Sequence, residues 1–247
     1  MYNFFITNQN LNEDAVKIDG GDFNHIKNVL RMKVGDTFLV SLDSKSSLCE
    51  IASFENDFLL AQIIEKDCYD TALPIEIYLF QGLPKSDKLE LIIQKAVELG
   101  VKEIIPVQME RSIVKIENSK IKSKTERFNA IAESAAKQSK MPFIPLVKEP
   151  MAFNNAIEYA KKLDLVLIPY ENQDGIESTI SALQKINNGN KIGIFIGPEG
   201  GFSQKEIALA KQSGDLISLG KRILRTETAS ITAMSMLMLY AEMKLNK

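Results

Sequence analysis

The chain is poor in the residues that staple or metallate a protein. It holds two cysteines, Cys49 and Cys68, and one histidine, His25. Neither a metal-ligand spacing nor a disulfide framework can be built from these, so the expectation is a reduced, intracellular, metal-free protein. Long apolar runs are missing as well. None approaches the ~18 residues that a membrane span requires, and the richest stretch, 234–241, is interrupted by Ser235. The first ten residues, MYNFFITNQN, lack the basic region and apolar core of a signal peptide. These absences predict a cytoplasmic protein with no membrane partner. Two phosphate-binding signatures are absent too: no Gly-Lys-Ser/Thr closes a P-loop, and no Gly-x-Gly-x-x-Gly marks a dinucleotide fold.

What is present is an ordinary globular composition, 247 residues with 45% hydrophobic and 25% charged side chains. The net charge of −2 is unevenly spread: residues 1–72 carry a net −6, whereas residues 111–148 carry a net +6. Such a surplus can meet phosphates, and a plain solvated basic face has the same composition.

Hydrophobic period divides the chain near residue 72. Before it, short β-type runs at 4–7, 37–42, 48–54 and 58–64 surround one helix at 22–30, which suggests a small barrel. From Pro74 onward, strands and helices alternate. Strands are expected at 75–81, 103–107, 164–169, 191–196 and 216–219, and helices at 87–99, 125–139, 153–162, 176–186, 203–213 and 227–244. Asp87 with Glu90, and Ser203 with Glu206, have capping-box spacing. The alternation predicts an α/β domain with a mostly parallel sheet covered on both faces, over residues 73–247. Ligands of such sheets sit beyond the carboxyl ends of the strands.

Three strand-to-helix loops fall there. Gly197-Pro198-Glu199-Gly200-Gly201 leads from a buried strand into a capped helix. The glycines permit close backbone approach, and the helix start favours a polar or anionic ligand group; a tight turn needing glycine only for its shape reads the same way. Leu219 to Ala229 places Arg225 just before a helix, where the dipole disfavours a cation. Arg225 therefore needs an anionic partner, whether a substrate or a nearby side chain such as Glu227. Gly82 to Lys88 starts a third helix with Lys85 and Lys88, and Lys95 follows two turns later, either as a phosphate-positioning track or as an ordinary polar face. The methionines 234, 236, 238 and 243 read as core or interface packing, and His25, with no acid or nucleophile near it in sequence, as structural or merely exposed.

Together, GLPKSDKLELIIQKAVELGV (82–101), IGPEGGFSQKEIALA (196–210) and LGKRILRTETASITA (219–233) resemble, in order and spacing, the RsmE-type ribosomal RNA uridine methyltransferases, which are SPOUT-class enzymes. HIKNVLRMKVGD (25–36) is similar to a segment of that family's PUA-like barrel. The resemblance implies a PUA-like β-barrel over 1–72 that binds RNA and a trefoil-knotted SPOUT domain over 73–247. It further implies a homodimer and methylation of N3 of one uridine in small-subunit (16S) ribosomal RNA, within the 30S particle, from S-adenosyl-L-methionine (SAM). Carried over by motif, SAM is held by Gly197, Pro198, Glu199 and Gly200, by Leu219, Gly220, Leu224, Arg225, Thr226, Thr228 and Ala229, and by a third wall, Ile168, Pro169, Tyr170 and Glu171. Arg225 is the expected stabiliser of the uracil anion, and Glu227 or Glu199 the proton acceptor. The expected RNA contacts are Arg31, Lys85, Lys88, Lys95, Arg111, Arg127 and Lys140. The chain departs from the family pattern at Lys137 and Met141, which leaves Lys140 as the cation of that segment. A catalytically silent RNA-binding factor on the same fold, or a nucleotide-binding enzyme, stand as alternatives.

Overall fold

The computed structural model describes residues 1–85, 87–170 and 175–245. They form two compact units. One comprises Met1–Ala72 with Ala136–Ile144, the other Leu73–Ala135 with Pro145–Lys247.

The first unit is a six-stranded sheet built from β1 (Asn3–Phe5), β2 (Leu11–Asn12), β3 (Ala15–Asp19), β4 (Thr37–Leu42), β5 (Lys45–Phe54) and β6 (Phe58–Tyr69). Its strand order is β1-β4-β5-β6-β3-β2, parallel only between β1 and β4. Residues 55–57 turn β5 into β6, and the turn is closed by Glu55 N–H donating to the Phe58 carbonyl at 2.8 Å. The core is Phe4, Val16, Ile18, Ile26, Phe38, Val40, Ile51 and Leu59, with Cys49 among them. Burial, with a smaller contribution from Cys68, pushes the Cys49 thiol up to about 12.

The helix expected at 22–30 is α-helical only in α1 (Gly20–Asn24); His25–Val29 then widens to π-type turns, and the Leu30 N–H reaches the His25 carbonyl at 2.9 Å. Residues 136–144 bring Lys137 and Lys140 to this acidic unit. Lys137 pairs with Asp22 at 2.8 Å, buried Asn3 donates to the Met141 carbonyl at 3.1 Å, and Thr71 donates to the Lys140 carbonyl at 2.8 Å. These contacts tie the segment down by hydrogen bonds that no local pattern announces.

The second unit holds β7 (Glu76–Gly82), β8 (Val101–Gln108), β9 (Leu146–Val147), β10 (Met151–Ala152), β11 (Leu165–Pro169), β12 (Lys191–Ile196) and β13 (Asp215–Ile217). Every pairing in this sheet is parallel, in the order β10-β8-β7-β12-β11-β13 with β9 beside β8. The central strands read as near-continuous apolar runs because both faces are covered. On one face Phe80 and Phe195 stack at 4.3 Å and pack with Phe153, Ile157, Ile207 and Ala210 of α4 (Phe153–Ala160) and α6 (Gln204–Ala210). On the other, α2 (Lys88–Glu98) packs against α7 (Thr226–Lys244). The remaining helices are α3 (Asn118–Ser139), which starts seven residues before the expected 125, and α5 (Glu177–Leu183). No helix among the described residues is long and apolar enough to cross a membrane.

The two capping expectations part company. Ser203 and Glu206 form a reciprocal box at α6, whereas Asp87 makes no capping bond at α2. Its ψ of 9° leaves the extended backbone that a capping side chain needs, and Glu90 turns instead to Arg127 at 2.9 Å.

Candidate functional site

A cleft of about 310 Å³ lies beyond the carboxyl ends of β11, β12 and β13. In chain order the path runs β11, β12, β13, but in space β11 lies between the other two. The chain therefore leaves β11 to one side and returns to the other, and the connections part above it. Such a reversal of strand order opens a crevice in doubly covered sheets. Its walls come from three loops: Pro169 and Tyr170 after β11; Ile196 to Glu199 with Gly201 and Phe202 after β12; and Ser218 to Gly220 with Arg222 to Thr226 and Ala229 after β13. Apolar residues (Pro169, Ile196, Phe202, Leu219, Ile223, Leu224) stand among a few polar ones, the usual lining of a small-molecule pocket.

The loop after β12 is clasped from several sides. At Gly82 a Cβ would stand 2.6 Å from both Cδ and N of Pro198. A side chain there is sterically excluded, so glycine lets β7 and the Gly197-Pro198 turn touch. The Gly200 carbonyl accepts from Arg111 at 3.0 Å, and buried Glu206 accepts both the Ser203 N–H and the Glu110 N–H at 2.8 Å. Both Glu199 carboxylate oxygens accept the Lys85 N–H, at 3.1 and 3.3 Å. We expect Gly82→Ala to push this turn outward, lowering the melting temperature by about 4–8 °C for an overpacking cost of about 2 kcal/mol. Differential scanning calorimetry checks it, and an unchanged melting temperature would show that the turn yields freely.

Lys88 joins this loop to the next. Its Nζ lies 3.1 Å from Glu199 Oε1 and 3.2 Å from Glu227 Oε2, one cation between two carboxylates. The bonds to Glu199 and then Glu227 raise the Lys88 pKa. Partial burial of Glu199 works against ionisation, yet its own N–H, that of Lys85 and the Lys88 ammonium hold it below the usual carboxylate range. Glu227 is held low first by its own N–H at the start of α7, and then, against partial burial, by Lys88 and Arg225. Beneath the clamp, buried Gln81 of β7 donates to Thr226 Oγ1 at 3.0 Å, and Thr226 donates to the Gly197 carbonyl at 2.7 Å.

Most of the residues nominated from the sequence meet in the cleft: Pro169, Tyr170, Gly197, Pro198, Glu199, Leu219, Gly220, Leu224, Arg225, Thr226 and Ala229. Three stand elsewhere. Ile168 is fully buried in the core because its side chain points into the sheet face covered by α4. Gly200 packs against Arg111, and Thr228 is exposed on α7 outside the lining. Glu171 lies outside the described residues. Glu227 stands behind the cleft as the partner of Lys88, with Oε2 covered by protein.

Of the cations nominated for RNA, Lys88 is spent on the clamp, and Lys95 pairs with Glu98 at 2.8 Å. Arg127 pairs with Glu90, and Arg111 bonds Gly200. The exposed pairs among them are worth little. Lys85 is exposed. In the first unit, Arg31 is exposed with φ of 53°, and the Lys140 ammonium lies 5.5 Å from the Tyr69 ring. Sequence reading missed Ile196, Gly201, Phe202, Ser218, Arg222 and Ile223 of the lining, although five of them lie inside a nominated motif and Ser218 directly precedes one.

Residues 71–238 match the RNA methyltransferase domain family, and residues 18–64 match the RNA methyltransferase PUA domain family. The chain is 39% identical, over 95% of each sequence, to the ribosomal RNA small subunit methyltransferase E of Bacillus subtilis (strain 168). It is 33% identical to the protein of the same name from Mesomycoplasma hyopneumoniae (strain 232), over 94% of this chain and 96% of that one. Among solved structures it is similar to a ribosomal RNA small subunit methyltransferase E from Neisseria gonorrhoeae bound to S-adenosyl methionine, with a TM-score of 0.78 and 27% identity over 97% of each chain.

Proposed function

We infer the reaction from one premise: this chain belongs to the ribosomal RNA small subunit methyltransferase E family. It is a SAM-dependent ribosomal RNA methyltransferase. We propose that its acceptor is N3 of one uridine in 16S RNA within the 30S particle, that it works as a cytoplasmic homodimer, and that the PUA-type first unit helps to hold the RNA. The observation that carries this reading is the meeting of three loops, far apart in sequence, around one cleft.

The cleft fits the donor on its own terms. Gly220 has φ of +106°, and a Cβ there would meet nothing within 4 Å, so the backbone at this lip stays bare for a ligand to lie against. Ile196, Leu219, Leu224 and Pro169 offer apolar walls for a flat base, and residues 197–199 and 218–220 run beside them. When bound, SAM supplies a methyl group on a sulfonium, already a strong electrophile.

The chain's own part is to position and to stabilise charge. Arg225 lines the cleft and has no capping bond to its helix. We assign its guanidinium to stabilising negative charge on the uracil carbonyl oxygens as N3 gives up its proton. Glu199 and Glu227 are both engaged by Lys88 and by backbone N–H groups, which makes them poor bases. We assign them to holding the loops and leave the N3 proton to water.

Binding is tested first by thermal shift with SAM, S-adenosyl-homocysteine, GTP and NAD. SAM and its demethylated product are expected to stabilise the protein and the other two to leave it unmoved. Labelled methyl transfer onto 30S subunits is then compared with transfer onto naked 16S RNA. Stabilisation by none of the four ligands points to a silent RNA-binding factor and removes this reading.

A further inference from the structure

In the apolar run Ile77 to Leu83 of the central strand β7 and its exit, one polar side chain, Gln81, is fully buried. It lies opposite Ile196 of β12 and Pro106 of β8. Burying an amide there is costly unless every polar atom is satisfied, and here each one is. Nε2 donates to the Gly82 carbonyl at 2.9 Å and to Thr226 Oγ1 at 3.0 Å. Oε1 accepts from buried Ser230 Oγ, whose single proton it shares with the Thr226 carbonyl. The amide has only one workable orientation, because turning it over would set its oxygen against the Gly82 carbonyl.

Through Thr226 the chain of bonds continues to the Gly197 carbonyl. Three segments are thereby joined inside the protein: the end of β7, the turn after β12 and the first two turns of α7. Thr226 and Gly197 both line the cleft, but Gln81 and Ser230 do not. An apolar residue of the same size would fill the space of Gln81 and leave the Thr226 hydroxyl tied to strand β7 by nothing, with its own bond to the Gly197 carbonyl as the remaining link between the two loops.

We propose that Gln81 is a positioning residue of the methyl-donor site, acting through Thr226 and Gly197 to set the spacing of the two loops that enclose it. This rests on the reading of the cleft as the SAM site. Gln81 touches neither donor nor RNA, so its influence falls on donor affinity and leaves the transfer step alone.

The test uses the full chain. Gln81→Met keeps the length and removes both donor and acceptor. It is expected to raise the SAM dissociation constant about tenfold, the worth of roughly one net hydrogen bond. The kcat at saturating SAM and the KM for RNA should change by less than about twofold. In a Thr226→Val background the same substitution should add less than about twofold, because its route is already cut. Gln81→Glu places a carboxylate against the Gly82 carbonyl, and SAM affinity should recover as pH falls and that carboxyl regains a donor, a dependence absent from the parent. If Gln81→Met does not fold, Ser230→Ala carries the test in the same direction with a smaller effect. A folded Gln81→Met protein with unchanged SAM affinity, or losses that simply multiply in the double variant, overturns the proposal. A parent chain that binds no SAM sinks the reading of the cleft itself. Amide hydrogen exchange at 197–203 still separates the two failures: faster exchange in Gln81→Met shows the lock, and unchanged exchange removes it.

Discussion

Arg225→Ala is expected to slow methyl transfer at saturating SAM by about 10²–10³-fold, while the SAM dissociation constant moves by less than about threefold. The split follows from where the charge is needed. A methyl donor bound through apolar walls and backbone groups owes little to one exposed guanidinium. The uracil ring, in contrast, becomes anionic only as N3 gives up its proton on the way to methyl transfer, and a cation held beside it acts on that state alone. Arg225 is well suited to this. It occupies the residue before α7, its backbone is extended (φ −65°, ψ 153°), and its side chain gives the helix no capping bond. A cation at a helix start is otherwise unfavourable, so the position calls for an anion. Single-turnover transfer alongside isothermal calorimetry decides the matter. Equal losses in rate and affinity would make Arg225 a cofactor-binding residue.

Removing the cation between the two loops is the second large perturbation. Lys88→Met leaves Glu199 and Glu227 facing one another with only backbone N–H groups and Arg225 to offset them. We expect SAM affinity to fall about tenfold at pH 7 as the loops separate, and the melting temperature to drop by about 2–4 °C. The sign of the pH dependence is fixed by the directions of the shifts. Both carboxylates are held below their ordinary value of 4.5, so the stability they contribute is present above that pH and is lost as pH falls through the lowered values. Lys88 is raised above 10.5, so its contribution is present below that pH and is lost only in stronger alkali. The gap between parent and variant should therefore be widest from about pH 5 to pH 10 and should close on acidification, when the carboxylates are neutral in both proteins. Melting curves from pH 3 to pH 9 read this directly. A gap that persists unchanged at pH 3 would mean that Lys88 acts by packing its stem instead of by its charge.

Much of the cleft is legible in the sequence. A run such as Ile194-Phe195-Ile196, short, apolar and stopped by Gly-Pro, reads as a buried strand with a loop at its end. The same holds for Leu219-Gly220 and for the start of α7. Local chemistry marks such positions because glycine and proline change the backbone where they stand. Sequence falls short where a side chain's direction matters. Motif position puts Ile168 on the cleft wall with Pro169 and Tyr170, but neighbouring residues of a strand face opposite ways, and the Ile168 side chain takes the core side. Asp87 had capping spacing but not capping backbone angles. Glu227 sat beside Arg225 in sequence, yet its carboxylate found Lys88 on another helix.

Primary structure alone settled the alternation of strand and helix, the covered parallel sheet, and the loops able to carry chemistry, because hydrophobic period and backbone-breaking residues act over a few positions. It did not settle which loops would meet. Gln81 bonds Thr226 across 145 residues, Lys88 bonds Glu199 across 111, and Asn3 bonds Met141 across 138. Those pairings depend on strand order and on the side on which each connection crosses the sheet. Chain entropy weighs against every such long-range closure until the packed core has already brought the ends together, so only the tertiary structure could decide them.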